Sequence, residues 1–208
     1  MKPVNSHIAG AYGQLDRHRN TIDAAFESTR RVARDLLHAD AIDVLFIDSP
    51  NESMPELGVG GYTCGRHVNV VAIDLDFPNL SDQHLLSTLV HEFHRAQRWR
   101  SKGLKGNLGE MIVSEGVARI FEEEVPGVRA IYGQVFFSSS DIELASLALH
   151  LGTFSQAKWF FGTENITKWF GDTWGYQICA AFSISAGKSA SDLVEVSTRD
   201  VLEAAGFR

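Results

Sequence analysis

The chain has 208 residues, 19 Lys and Arg against 26 Asp and Glu, and 44% hydrophobic residues. That length suits one domain, or at most two small ones, and the hydrophobic share excludes wholesale disorder. A formal net charge of −7 carries no electrostatic footprint for nucleic acid or an anionic membrane. The eight histidines are the feature that invites chemistry, because neutral imidazole is the commonest metal ligand.

The opening Met-Lys-Pro-Val-Asn-Ser-His lacks the apolar core of a secretory signal. No apolar run nears the ~20 residues that span a bilayer. Cys64 and Cys179 lie far apart with no CxxC spacing. The expectation is a cytoplasmic protein with buried thiols, no membrane or nucleic-acid partner, and a single domain over residues 1–208.

Residues 10–39 read as a helix, with Ile22, Ala25, Phe26, Val32, Leu36 and Leu37 at helical spacing. Ile42 to Ile47 is a short β-branched run ended by Asp48-Ser49-Pro50, a strand signal. Pro55, Gly58 and Gly60 make 51–60 a loop. Gly61-Tyr62-Thr63 and 67–75 read as two strands turned by Cys64-Gly65-Arg66. The first half is thus a helix followed by a small, mostly antiparallel sheet.

Ser81-Asp82 caps a helix expected to reach Trp99, and Gly103 and Gly106 break it. Further helices are expected over about 107–124, over about 140–159, from near Asp172, and after Ser197-Thr198. The layout is α+β: one small sheet, then packed helices.

His91-Glu92-Phe93-His94-Arg95 lies within the helix that starts at Ser81-Asp82. Residues four apart on a helix point about 40° apart, so His-Glu-x-x-His brings two imidazoles to one metal with the Glu beside it to take a proton from bound water. This chain supplies His91 and Glu92, but position 95 is Arg. Arginine has no lone pair to give and keeps its charge. His94 is also a neighbour of His91 on the helix. With His94 as partner, however, Glu92 would lie about 130° from the midpoint of the pair, instead of about 80°. Such a site could hold a metal while placing its base badly.

Together the segments around Gly61-Tyr62-Thr63, Leu89 to Trp99, Ser114-Glu115-Gly116-Val117-Ala118 and Trp174-Gly175-Tyr176-Gln177-Ile178 resemble a family of bacterial predicted zinc-dependent proteases, classed as a domain of unknown function. The resemblance covers about residues 40–205, leaving 1–39 as an N-terminal helical segment. It implies a zincin-like fold of the glutamate-zincin type, zinc as cofactor, and hydrolysis of peptide bonds in a peptide or protein substrate. His91 and Glu115 would be metal ligands, with His94 as a further candidate, and Glu92 would activate the water. Tyr176 is a candidate donor to the oxyanion, since hydrolysis builds negative charge on the scissile carbonyl.

Arg95 stands where the family's second His belongs and leaves three readings open. His91, His94 and Glu115 hold zinc in a rearranged site; or Arg95 pairs with Glu115 or Glu92 and its charge replaces the metal; or Arg95 is a single variant of an intact protease sequence. The alternative function is a catalytically inactive zincin-like module that binds a peptide or protein partner without cleaving it. Plainer roles are expected elsewhere. Trp159, Phe160, Phe161, Trp169, Phe170 and Trp174 are read as core, His150 as a core or groove histidine, and Glu122-Glu123-Glu124 as a solvated helix end. A strand near Val68–Leu75 could pair with an extended substrate backbone.

Overall fold

The computed structural model describes residues 2–103, 106–127 and 131–207. The chain divides into two compact units, residues 1–100 and 101–208.

The first unit begins with a strand, β1 (Val4–Ile8), that the sequence reading did not anticipate. A 3-10 turn over Gln14–His18 follows Gly13, which sits at φ 67°. Helix α1 starts only at Arg19 and runs to Leu37, later than the expected residue 10, because Gly13 takes the left-handed conformation that ends regular structure. Its buried residues, Ile22, Ala25, Phe26, Thr29, Ala33 and Leu37, recur at helical period. Leu36, expected on that stripe, is 49% exposed.

Strands β2 (Ile42–Asp48), β3 (Val59–Gly65) and β4 (Val68–Ile73) complete a four-stranded sheet in the order β1-β2-β4-β3. β1 pairs parallel with β2, β2 parallel with β4, and β3 antiparallel with β4. The α+β class holds, but the sheet is mixed, not mostly antiparallel. β1 and β2 run parallel, with α1 as the connection between them. β4 presents Val70, Val71, Ala72 and Ile73 all buried, and an unbroken apolar run belongs inside a sheet, covered on both faces. It therefore lies between β2 and β3, and only the β3–β4 hairpin is antiparallel.

Paired residues share a face of the sheet. Phe46 pairs with Val71, and Val71 with Gly61. Phe26 of α1 meets Phe46 edge-on, 6.5 Å between ring centroids. On the same face, Gly61 lies against Thr88 and Glu92 of helix α2 (Asp82–Lys102). Both helices thus cover one side. The expected cap is present: the Ser81 hydroxyl accepts from the His84 N–H at 3.3 Å.

The second unit is helical among its described residues: α3 (Leu108–Glu124), α4 (Ser139–Ala148), α5 (Phe170–Ala186) and α6 (Thr198–Ala204). Asn107 caps α3 by accepting from the Glu110 N–H. A reciprocal capping box between Ser138 and Asp141 starts α4. The helix expected over 140–159 stops at Ala148, with Gly152 soon after, and a separate π turn occupies Ala157–Phe161. Gly116 of α3 and Gly175 of α5 let these helices touch backbone to backbone: a Cβ on Gly116 would overlap the Gly175 carbonyl, and one on Gly175 the Ile112 carbonyl.

Phe170 stacks on Trp174 at 5.3 Å, and Phe137 and Phe207 meet these two rings edge-on, both at 5.2 Å. Trp159, Phe160, Phe170 and Trp174 are core, as expected, whereas Phe161 is 59% exposed. No described helix is long and apolar enough to cross a membrane.

Candidate active site

In α2 every residue from Thr88 to Phe93, and then His94, is buried. A helix apolar or buried all round is a core helix, and its polar side chains need partners there. His91 is 3% exposed, Glu92 3% and His94 0%. These candidates therefore lie in an interior segment, and Arg95 is half-buried beside them.

The Glu92 carboxylate has a defined setting. Its Oε2 accepts from the Thr63 hydroxyl of β3 at 2.7 Å. Arg95 Nη1 stands 3.6 Å from the same oxygen, while Oε1 lies 3.9 Å from His91 Nε2. Thr63 also reaches the Glu92 carbonyl at 3.2 Å. The pairing of Arg95 with Glu92 was one of the two anticipated from sequence. Of the two thiols expected to be buried, Cys179 is buried and Cys64 is exposed; the Cys64 thiol, next to Thr63, is pushed up, first by partial desolvation and then by the Glu92 charge.

Glu115 and Tyr176 belong to the second unit. Glu115, on α3, is 4% exposed. One turn on, Arg119 is the centre of a buried ionic cluster. Its Nη1 donates to Glu122 at 2.6 Å and its Nη2 to Asp172 at 3.1 Å. Its guanidinium carbon lies 3.7 Å over the Tyr132 ring centroid, and the Tyr132 hydroxyl donates to Glu122 at 3.0 Å. Burial opposes the Arg119 charge, but Tyr132, Glu122, Asp172 and Glu115 outweigh it and hold the group protonated well above the ordinary arginine value. Burial likewise drives the Tyr132 hydroxyl far up, against the pull of Arg119.

The Tyr176 hydroxyl donates to Glu123. The Glu122-Glu123-Glu124 run is thus not a solvated end: Glu122 is 2% exposed, Glu123 accepts from Tyr176, and Glu124, though exposed, accepts from the Ala190 N–H at 3.2 Å. Each acidic side chain meets a donor that arrives from later in the chain, which helical periodicity does not show. His150 is exposed, not core, because α4 ends before it.

Zinc asks for neutral nitrogen, thiolate or carboxylate donors in a tetrahedral set. His91 suits that need. Arg95 does not, and its guanidinium sits against the carboxylate that would activate water. Among the described residues no group of three or more His, Cys, Asp or Glu side chains is placed to hold a metal ion. As it stands, the donor set does not fit zinc.

Two buried polar arrangements escaped the sequence reading. Gly61-Tyr62-Thr63 was noted as a motif, but the Thr63–Glu92 bond spans 29 positions and has no local signature. For Arg119, the spacing Glu115/Arg119/Glu122 within an apolar helix was a usable signal.

A buried helix that carries a histidine, a braced glutamate directly after it, and a second histidine is the kind of segment on which zinc-dependent peptidases build their reactive centre. The chain belongs to a family of that class: the family described as predicted Zn-dependent protease (DUF2268) matches residues 22–203. Comparison with curated proteins and with solved structures found no match.

Proposed function

We propose that this chain is a zincin-type peptide-bond hydrolase impaired at its metal site: Glu92 is placed as general base and His91 as a metal ligand, and Arg95 sharply lowers the affinity for zinc. Glu92 is the observation that carries this reading. It is buried at 3% exposure, next to His91, and braced from the sheet by Thr63. Burying a carboxylate costs stability unless it is well served, and a fold that keeps one beside a histidine has the parts for general-base chemistry. Membership of the protease family supports the same assignment.

An extended peptide needs an open strand edge. β4, the strand expected to offer one, has β2 on one side and β3 on the other, so its backbone groups are already used. β3 is an edge of the sheet order and carries Thr63, the partner of Glu92. We assign the substrate backbone to β3. For Tyr176 to serve as oxyanion donor, its hydroxyl would exchange Glu123 for a substrate oxygen.

The Glu92–Arg95 ion pair at 3.6 Å favours one second reading: a module that binds a peptide or protein segment along β3 without cleaving it. The Arg95→His variant decides between them. The chain purified without added metal is expected to carry well under one equivalent. Arg95→His is expected to raise zinc affinity by at least the roughly 10- to 100-fold that even an outer-shell partner is worth, and to gain peptide hydrolysis that Glu92→Gln abolishes. Loss of the gained zinc on adding Glu115→Gln would give Glu115 the ligand role its family resemblance implies. If Arg95→His gains neither zinc nor hydrolysis, the hydrolase reading fails and the binding module stands.

A further inference from the structure

The geometry points to Thr63 as a positioning residue for Glu92, with Gly61 as the gap that makes the arrangement possible; this rests on Glu92 being the general base. A glutamate on a helix has several rotamers, and a base is effective only when one oxygen is aimed at the proton it takes. Two contacts to Oε2, one from β3 and one from α2, select the aim here. Thr63 donates to Oε2 at 2.7 Å. Arg95 also lies on the Oε2 side, at 3.6 Å. The remaining oxygen, Oε1, is turned toward His91 Nε2 at 3.9 Å.

Gly61, two residues before Thr63 and so on the same face of the strand, supplies the room. A Cβ there would stand 2.6 Å from Thr88 Cγ2, 2.8 Å from Glu92 Cγ and 3.1 Å from Glu92 Oε1. Any other residue would push the Glu92 side chain off this path or part α2 from the sheet. The strand thus treats the two oxygens differently: one is tied to the hydroxyl, the other is left pointing along the helix face that carries His91. Gly61-Tyr62-Thr63 acquires a reason in these terms, with Tyr62 between them on the opposite face, 43% exposed.

The test separates positioning from simple packing. In the chain as it stands, Thr63→Val and Glu92→Gln are made singly and together, and the urea midpoints compared. Thr63 acting through Glu92 makes the two shifts non-additive, and Thr63→Ser, which keeps the hydroxyl, stays near the parent midpoint. Additive shifts would overturn the proposal. In the Arg95→His background, Thr63→Val is expected to lower kcat roughly 10- to 100-fold with KM and zinc content unchanged, and Thr63→Ser to recover most of it. A kcat that does not move, in a chain that hydrolyses peptide, also overturns it. If Arg95→His hydrolyses nothing, the hydrolase reading falls, while the coupling measurement still decides whether Thr63 sets the Glu92 side chain.

Discussion

Arg95 and Arg119 show how differently a single cation acts in two settings. Arg95, half-buried, takes the helix position at which a second imidazole would complete a metal pair, and it faces the Glu92 carboxylate. Arg119 is held by Glu122, Asp172 and the Tyr132 ring. Removing one partner of a buried ion pair leaves the others uncompensated, which is more damaging than the pair is stabilising. Arg119→Met is therefore expected to cost about 3–5 kcal/mol in urea unfolding. Arg119→Lys should recover only part, because an ammonium cannot match the fork to Asp172 and Glu122 together. The sequence showed both arginines and their helical neighbours. It did not show Asp172 and Tyr132 arriving at Arg119, since those contacts span 53 and 13 positions.

At the scale of elements, α3 against α5 and the start of α4 invite tests. Gly116 and Gly175 form a contact with no room for a methyl group, so Gly116→Ala forces the helices apart. Overpacking of that kind costs about 1–3 kcal/mol, and a fall in the thermal midpoint checks it. Asp141 caps α4 and is held below the usual carboxylate range: burial raises its pKa, but hydrogen bonds from the backbone and hydroxyls of Ser138 and Thr167 outweigh that. Its folded pKa lies below the unfolded value near 3.9, so the stabilisation is complete above that value and is lost as pH falls through the folded pKa. Asp141→Asn should therefore lower stability at pH 7 by about 1 kcal/mol and flatten the loss of stability below about pH 4. Elements with strong local signals were legible from the chain alone: α2, α3 and the β3–β4 hairpin sit close to their expected bounds. β1 was missed because five residues with Val4 and Ile8 as the only apolar members give a weak alternation, and its stability comes from pairing with β2.

For the molecule as a whole, zinc linkage is the most direct expectation. A ligand that binds only the folded state stabilises by RT ln(1 + [L]/Kd), about 2.7 kcal/mol at a hundred times Kd. The chain as it stands is expected to melt at the same temperature with EDTA as with micromolar zinc. Arg95→His should melt higher with zinc and lose the gain on chelation. A zinc-dependent rise in the parent chain would contradict the role given to Arg95.

The amino-acid sequence by itself determined the α+β class, the helix that carries His91 and Glu92, the anomaly at position 95 and the family of predicted zinc-dependent proteases to which the chain belongs. Those are matters of residue type, local period and spacing, which neighbours along the chain decide. Only the tertiary structure decided that β4 is central and β3 an edge, that Thr63 and Gly61 govern the Glu92 side chain, and that a glutamate run at a helix end is drawn into hydrogen bonds. Each of those depends on which strand or helix lies alongside, and that choice is made by burying apolar faces together across distant parts of the chain.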